Sequence, residues 1–199
     1  MLLSALISGL GLGSMYGLMA LGFYVTYAVS GTVNFAQGSS MMLGAVLTFA
    51  FAQTLGWPLW AAIVLALALC ALYGLVVEFV AVRPFARRGS DAWLMATVAM
   101  GMVLDNVVMF TYGKEPRSLP SPLAQAPLEI AGNNLGVYPL QLLIPVVGLA
   151  LAAVLHTLSR RTRWGVAMLA VVQNRSAARL MGIPIRRAVA IAFALSTLF

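Results

Sequence analysis

The chain has 199 residues, of which 62% are hydrophobic and only 9% are charged, and its formal net charge is +7. Residues 1–77 contain no Asp, Glu, Lys, Arg or His, although a water-facing surface of that length would need charge for solubility. This composition excludes a soluble globular domain and predicts a polytopic membrane protein.

Five apolar stretches are candidates for helices that cross the ~30 Å hydrocarbon core of a bilayer. These predicted spans are 2–29, 39–55, 58–82, 92–112 and 137–158. Another span starts at 188 but rises only ~18 Å before Phe199, so we expect the chain to be C-terminally incomplete. The predicted fold is a single all-α domain, residues 1–199, that forms a polytopic transmembrane helical bundle.

The arginines predict how the bundle is oriented. Arg83, Arg87 and Arg88 follow the third span, and the loop 159–188 carries further arginines with no acid, whereas loop 113–136 is neutral. The positive-inside rule then predicts that both arginine-rich loops are cytoplasmic. Counting back through the spans places the N-terminus outside, provided that 30–38 is a loop and not a re-entrant segment. Because these arginines lie beside spans and not on a folded basic face, we expect membrane lipid and no nucleic acid as their partner.

The first span carries a ridge of small residues one helical turn apart, namely Gly9, Gly13 and Gly17. Small residues at this spacing let two helices approach closely inside a membrane. We therefore predict helix packing at this ridge, and the sequence leaves open whether the partner helix belongs to the same chain.

Four polar residues are the candidate translocation path: Asn34, Gln37, Asp105 and Asn106. The first two lie in a polar, uncharged tract, residues 30–40, which is either a cytoplasmic turn or a broken helix whose unwound backbone lines a cavity. The other two lie within the fourth span, where a carboxylate costs about 2.5–3.5 kcal/mol at the helix centre. Asp105 is either a structural hydrogen-bonding group or an acid that lines the path.

The loop 159–188 contains the most specific local signal. Asn174 is a good N-cap, Gly182 suits the C′ position and Pro184 prevents continuation, which predicts a short helix over 175–181. Such a helix can lie on lipid or dock into a partner's groove. It has a basic side (Arg175 and Arg179) and an apolar side (Ala177, Leu180 and Met181).

The sequence offers no set of catalytic groups. Lys114 is the only lysine and is followed by Glu115, so the Gly-Lys-Ser/Thr of a phosphate-binding loop is absent. His156 is the only histidine and cannot build a metal site by itself. We predict that the chain is not an enzyme and holds no cofactor or metal, and that Glu78 either pairs with the nearby Arg83 or snorkels to the interface.

Several separated segments resemble the permeases of branched-chain amino acid ABC importers. They are Gly11-x-Gly13-Ser14-x-Tyr16-Gly17, Val33-Asn34-Phe35-Ala36-Gln37-Gly38, Arg83-Pro84-Phe85, 96–106, Glu115-Pro116-Arg117 and, most specifically, Asn174-Arg175-x-Ala177-Ala178-Arg179-Leu180-Met181-Gly182. The chain departs from the family at Gln37, usually His, and at Ser39, often Glu. Leu169 and Asn174 stand where Arg and Asp are frequent.

The resemblance implies a permease subunit in the bacterial inner membrane that moves branched-chain or other hydrophobic amino acids. Its implied partners are a second permease subunit, homologous or identical, two cytoplasmic ABC ATPases that hydrolyse the ATP, and a periplasmic substrate-binding protein. Residues 174–182 resemble the coupling helix that docks on an ATPase. Arg175 and Arg179 would be its polar contacts, with Leu180, Met181 and Ile183 as apolar anchors.

Three alternatives stay open. The departures at Gln37 and Ser39 allow urea or short amides as the cargo. A stand-alone channel or secondary transporter is disfavoured because the spans show no charge relay and the capped loop helix would have no role. A membrane-embedded enzyme is disfavoured by the missing catalytic groups.

Overall fold

The structure, a computed structural model, describes residues 2–86, 88–113, 129–130, 133–134 and 138–199. Its regular structure is helical apart from one antiparallel pair of two-residue strands, β1 (Glu129–Ile130) and β2 (Asn133–Asn134). The all-α prediction is confirmed. The helices are α1 (Leu2–Ser30), α2 (Gln37–Phe49), α3 (Leu59–Val77), α4 (Arg83–Ala86), α5 (Trp93–Tyr112), α6 (Pro139–Arg161), α7 (Arg163–Gln173), α8 (Arg175–Leu180) and α9 (Ile185–Ser196).

Four helices in the described part of the chain are long and apolar enough to cross a membrane. They are Ala5–Ser30, Leu59–Ala86, Trp93–Tyr112 and Gln141–Arg161. Their outward faces carry large apolar side chains, such as Phe110 at 88% exposure, which suit a bilayer and would be costly in water. The chain is therefore a multi-pass helical membrane protein.

The predicted span 39–55 corresponds to α2 and the π-helical turn that follows it, Ala50–Thr54. This element is not among the four helices above, and its first turn is made of Gln37, Gly38, Ser39 and Ser40. A second π turn, Glu78–Val82, joins α3 to α4 without a break. Such turns are rare and frequently mark functional sites.

Helix α9 packs against α1 and α3, and its Ala192 and Phe193 are completely buried. Helix α3 approaches it closely because small residues recur on one face, at Ala62, Ala66, Cys70 and Gly74. A Cβ added to Gly74 would lie 2.5 Å from the carbonyl oxygen of Phe193. Close packing through small residues thus occurs on α3, where the sequence analysis did not place it.

The predicted packing ridge on α1 has no partner in the described part of the chain. Gly9, Gly13 and Gly17 are exposed, and a Cβ on any of them would meet nothing within 4 Å. They line an open groove of about 480 Å³ between α1 and α6. Helix α1 meets α6 elsewhere, for example at Gly148, whose added Cβ would lie 3.6 Å from Leu18. Packing at the ridge stays a prediction.

The segment 159–188, predicted as a loop with one short helix, is mostly helical. Helix α6 runs to Arg161, and α7 begins one residue after Thr162, whose hydroxyl accepts a hydrogen bond from the Gly165 amide (3.0 Å). The Thr162 cap explains the immediate restart, and α7 then packs against α1 and α9. Arg87 and most of the predicted loop 113–136, including Lys114, Glu115 and Arg117, lie outside the described residues.

Candidate functional site

The polar tract between α1 and α2 folds back into the bundle. Helix α1 ends at Ser30, Gly31 turns the chain with a φ of 71°, and residues 32–36 are not helical before α2 begins at Gln37. The Gln37 side chain reaches the carbonyl of Met19, about three helical turns, or ~16 Å, from the end of α1. The tract is therefore a broken helix at membrane depth and not an exposed turn. Non-helical backbone at that depth is tolerated only where it is buried in protein or lines a cavity.

Gln37 joins three helices through its amide group. Its nitrogen donates to the Met19 carbonyl (3.1 Å) in α1, and its oxygen accepts from the Ser196 hydroxyl (3.1 Å) in α9. The amide lies against Gly22, where an added Cβ would collide with it. Nearby, Thr197 donates to the Cys70 carbonyl (2.9 Å) in α3. We call Asn34, Gln37, Ser40, Ser196 and Thr197, all of them buried, the polar layer.

Asn34 has one polar group without a partner. Its Oδ1 accepts a hydrogen bond from the Ala36 amide (3.2 Å), which fixes the local turn. Its Nδ2 is buried and has no hydrogen-bond partner in the described part of the chain. An unsatisfied buried donor costs about 1–3 kcal/mol, so the position calls for a functional explanation.

The structure places the two path candidates of α5, Asp105 and Asn106, on different faces of the helix. Gly101 packs against the start of α2, where its added Cβ would lie 3.0 Å from Ser39 Oγ. Asp105 follows one turn later on that face and is half-buried. Asn106 is exposed, lines an outward groove and donates to the Met102 carbonyl of its own helix (2.7 Å). Asn106 is thus not brought to Asn34 and Gln37.

Helix α8 has the predicted ends. Asn174 accepts the Ala177 amide on its side-chain oxygen (2.9 Å), and Gly182 has a φ of 77°, which favours glycine. Leu180 and Met181 are 89% and 82% exposed, a costly state for two large apolar side chains at a helix end. Ile183 differs from them, because it packs against a buried cluster that includes Ala178 and Val171.

Helix α8 is tied to the end of α1. Arg175 Nη2 donates to the Val29 carbonyl (2.7 Å), one of the acceptors that the end of a helix leaves free. Arg175 was predicted as a polar contact to a partner, and this bond uses one of its donors within the chain. Around this point Arg83, Arg175, Arg179 and Arg186 line one cavity, and we call this side of the bundle the arginine end.

The predicted pair of Glu78 and Arg83 is confirmed. Arg83 donates to both carboxylate oxygens, from Nε at 3.1 Å and from Nη2 at 2.7 Å. The π turn Glu78–Val82 lies between the two residues and brings them together at a spacing of five positions. Glu78 is buried, so the pair compensates a charge that would otherwise be costly at this depth.

Sequence reasoning missed three members of this site. Ser196 and Thr197 are separated from Gln37 by most of the chain, and no local pattern joins them to it. Gly22 lies in the first span, but its contact with Gln37 depends on how the broken helix folds back. Only a prediction of that fold-back could have found these contacts.

Comparison with known proteins decides the family. The family described as "Branched-chain amino acid transport system / permease component" matches residues 5–199. The chain belongs to this family. No solved structure matches the chain at a significant level.

Curated relatives of this permease family carry consistent names. The "High-affinity branched-chain amino acid transport system permease protein LivH" of Escherichia coli (strain K12) is 30% identical over 201 residues, 96% of this chain and 65% of its own length. The permease protein BraD of Pseudomonas aeruginosa, with the same description, is 28% identical over 96% of this chain. A "Probable branched-chain amino acid transport permease protein LivH" of Methanocaldococcus jannaschii is 25% identical over 85%. The chain thus spans somewhat less than two thirds of the length of its first relatives.

Proposed function

We propose that this chain is the transmembrane permease subunit of an ABC importer for branched-chain or other hydrophobic amino acids. The observation that carries the proposal is the family match over residues 5–199. In the proposed assembly the chain pairs with a second permease subunit in the bacterial inner membrane. Two cytoplasmic ABC ATPases hydrolyse the ATP, and a periplasmic binding protein delivers the cargo.

The proposed route passes the polar layer. Asn34 and Gln37 lie where the backbone is unwound at membrane depth, and the free Nδ2 of Asn34 is a donor that a cargo carbonyl or carboxylate can use. Asp105, half-buried on α5, is proposed to flank the route. Asn106 was also a candidate, but its exposure and its bond within α5 support a contact with lipid or a neighbouring helix instead.

The proposed coupling element is α8. Asn174 and Gly182 define its ends, and Leu180 and Met181 supply the apolar tip that enters a groove of the ATPase. Arg179, which is exposed, is the remaining polar contact. Through the bond from Arg175 to Val29, a displacement of α8 would pull on the end of α1 and the adjoining Gly31 turn. That linkage supports rigid-body alternating access.

The proposed contact with the second permease subunit is the glycine ridge on α1. Gly9, Gly13 and Gly17 are open along the groove beside α6, so a helix of another subunit can approach the α1 backbone closely.

Urea or a short amide is a second candidate cargo. The observation that favours it is the polar layer itself, because none of its five side chains carries a charge that could pair with the ammonium and carboxylate of a free amino acid. Gln37, in place of the usual histidine of the family, contributes to that neutrality.

One experiment tests the function and separates the two cargoes. The full-length permease is reconstituted with its ATPase and binding-protein partners, and ATP turnover is measured with leucine, isoleucine, valine, urea and acetamide. We expect at least a fivefold stimulation by the hydrophobic amino acids. Stimulation by urea or acetamide alone would favour the second cargo, and no stimulation by any of them would contradict an importer role of this kind.

A further inference from the structure

We propose that the cavity at the arginine end binds a phosphate group, contributed by the headgroup of an anionic membrane lipid or by free phosphate. The cavity has a volume of about 440 Å³. It lies between the end of α1, the π turn Glu78–Val82, helix α8 and the first turns of α9. Because a water molecule takes up about 30 Å³ of liquid, the space admits a phosphate with part of its hydration shell.

The residues that the structure describes do not balance the positive charge around this cavity. Glu78 is the one acid among the lining residues, and Arg83 already occupies both of its oxygens. Arg175 donates to a neutral carbonyl. Arg179 and Arg186 have no ion-pair or hydrogen-bond partner among the residues that the structure describes. Three of the lining arginines, Arg175, Arg179 and Arg186, therefore lack a counter-ion within the described part of the chain.

The backbone adds hydrogen-bond donors that, like the arginines, carry positive charge. Helix α9 starts at Ile185 after Pro184, with no side-chain cap and no acidic residue in its first turn. The first amide groups of a helix lack internal acceptors and carry the positive end of its dipole. Ile185 and Arg186, which supply two of these amides, both line the cavity. Arginine forks together with free helical amides are the donor set that phosphate prefers.

The position of the cavity favours a lipid headgroup as the source. The Arg83 guanidinium lies 4.9 Å from the centre of the Phe79 ring, and Phe79 is 62% exposed on the membrane-crossing helix Leu59–Ala86. The edge of the cavity is thus where the apolar surface of a span gives way to charge. That is the depth of the headgroups, and basic pockets between transmembrane helices there bind anionic lipids.

A protein carboxylate is a less fitting occupant. Leu180 and Met181, the exposed tip of α8, do not line the cavity, so the apolar contact of a partner and an anion in the cavity use different side chains. Arg179 is the one residue that both the cavity and the proposed coupling contact share. The inference is also independent of the cargo, because none of the five residues of the polar layer lines the cavity.

The test compares two variants that each lose two positive charges from the arginine-rich segment 159–188. Arg179→Gln/Arg186→Gln removes the unpaired arginines of the cavity, and Arg161→Gln/Arg163→Gln removes exposed ones outside it. The full-length permease complex is placed in nanodiscs of phosphatidylglycerol or phosphatidylcholine, and retained lipid is counted by native mass spectrometry. We expect wild type and the Arg161/Arg163 variant to retain phosphatidylglycerol, with at least a tenfold lower affinity in the cavity variant. Arg186→Lys, which keeps the charge but loses the fork, should fall between them.

A second arm identifies the source of the phosphate. Inorganic phosphate is added to lipid-depleted complex at constant ionic strength, and thermal stability is compared with chloride. Stabilisation that the cavity variant lacks supports the site and assigns free phosphate, whereas retention of phosphatidylglycerol alone assigns the lipid. Equal losses in both double variants overturn the proposal. So does a cavity variant that keeps its lipid but loses the ATPase, because the occupant is then a protein carboxylate.

Discussion

Gln37 at the start of α2 accepts a hydrogen bond from Ser196 near the end of α9, with 3.1 Å between the two oxygens. The same amide donates to the Met19 carbonyl of α1, so one side chain fixes the broken helix to two others. Both residues are buried, and a buried polar link of this kind is stable only when every group is satisfied. The link therefore specifies how deep the chain folds back after α1.

The contact between the Gln37 amide and Gly22 gives the first prediction. Gly22→Ala would place a methyl group where the Gln37 amide lies, so we expect a loss of about 1–3 kcal/mol in stability. Thermal unfolding of the purified full-length protein measures it. Gly38→Ala is the matched control, because its Cβ would meet nothing within 4 Å. Equal stability of the two variants would contradict the close contact between Gln37 and Gly22.

The free donor of Asn34 gives the second prediction. Asn34→Ser keeps an oxygen that can accept the Ala36 amide but removes Nδ2. Loss of the unsatisfied amide group and the void left by the smaller serine act in opposite directions, so stability should stay within ~1 kcal/mol of wild type. Uptake into proteoliposomes should nevertheless fall at least tenfold if cargo uses that donor. Asn34→Ala, which loses both the side-chain oxygen and the amide nitrogen, should lower both stability and uptake. Wild-type uptake by Asn34→Ser would show that Asn34 does not line the route.

The helical character of this chain was predictable because it follows from local composition. A run of 77 residues without a charged side chain admits few structures besides apolar helices. The ends of α8 were predictable for the same kind of reason, since Asn174 and Gly182 act on the backbone groups next to them. Helix α7 was missed because the whole arginine-bearing stretch 159–188 was assigned to a loop, although Arg163 is the one arginine within α7. Packing against α1 and α9 holds this helix in place.

The polar layer was only half predictable. Asn34 and Gln37 stand out in a tract without charge, but their partners Met19, Ser196 and Gly22 are set by tertiary packing. The glycine ridge on α1 illustrates the reverse case. Its spacing indicates a contact, and the described chain offers none, because spacing reveals a surface suited to close approach and not the identity of its partner.

The exposed tip of α8 gives the third prediction. Leu180→Ser/Met181→Ser should leave the yield of permease unchanged, since both side chains contact little within the chain. Binding of the ATPase should weaken at least tenfold because the apolar anchor is lost. Val166→Ser/Leu169→Ser, which changes two exposed apolar residues of α7, is the control. Co-purification of the ATPase is measured for both variants. Undiminished recovery of the ATPase with the α8 variant would count against docking at the tip of α8.

The pair at the π turn gives the fourth prediction. Glu78→Gln should destabilise the protein by about 2 kcal/mol, less than for a fully buried pair, because the Arg83 side chain is 28% exposed. Glu78→Gln/Arg83→Gln should recover part of that loss, since neither charge is then left alone. Thermal unfolding of the single and double variants measures the coupling. Additive effects would show that the two residues do not stabilise each other.

The most direct test of the account asks on which side of the membrane α8 lies. A cysteine is introduced at one of two positions. Ser176 lies beside Arg175 in α8, and Thr54 ends the π turn in the connection between α2 and α3, which is predicted to lie on the outer side of the membrane. Intact cells are then treated with a membrane-impermeant maleimide. We predict that Thr54→Cys is labelled at once and Ser176→Cys only after permeabilisation. Labelling of Ser176→Cys from outside intact cells would contradict coupling to a cytoplasmic ATPase.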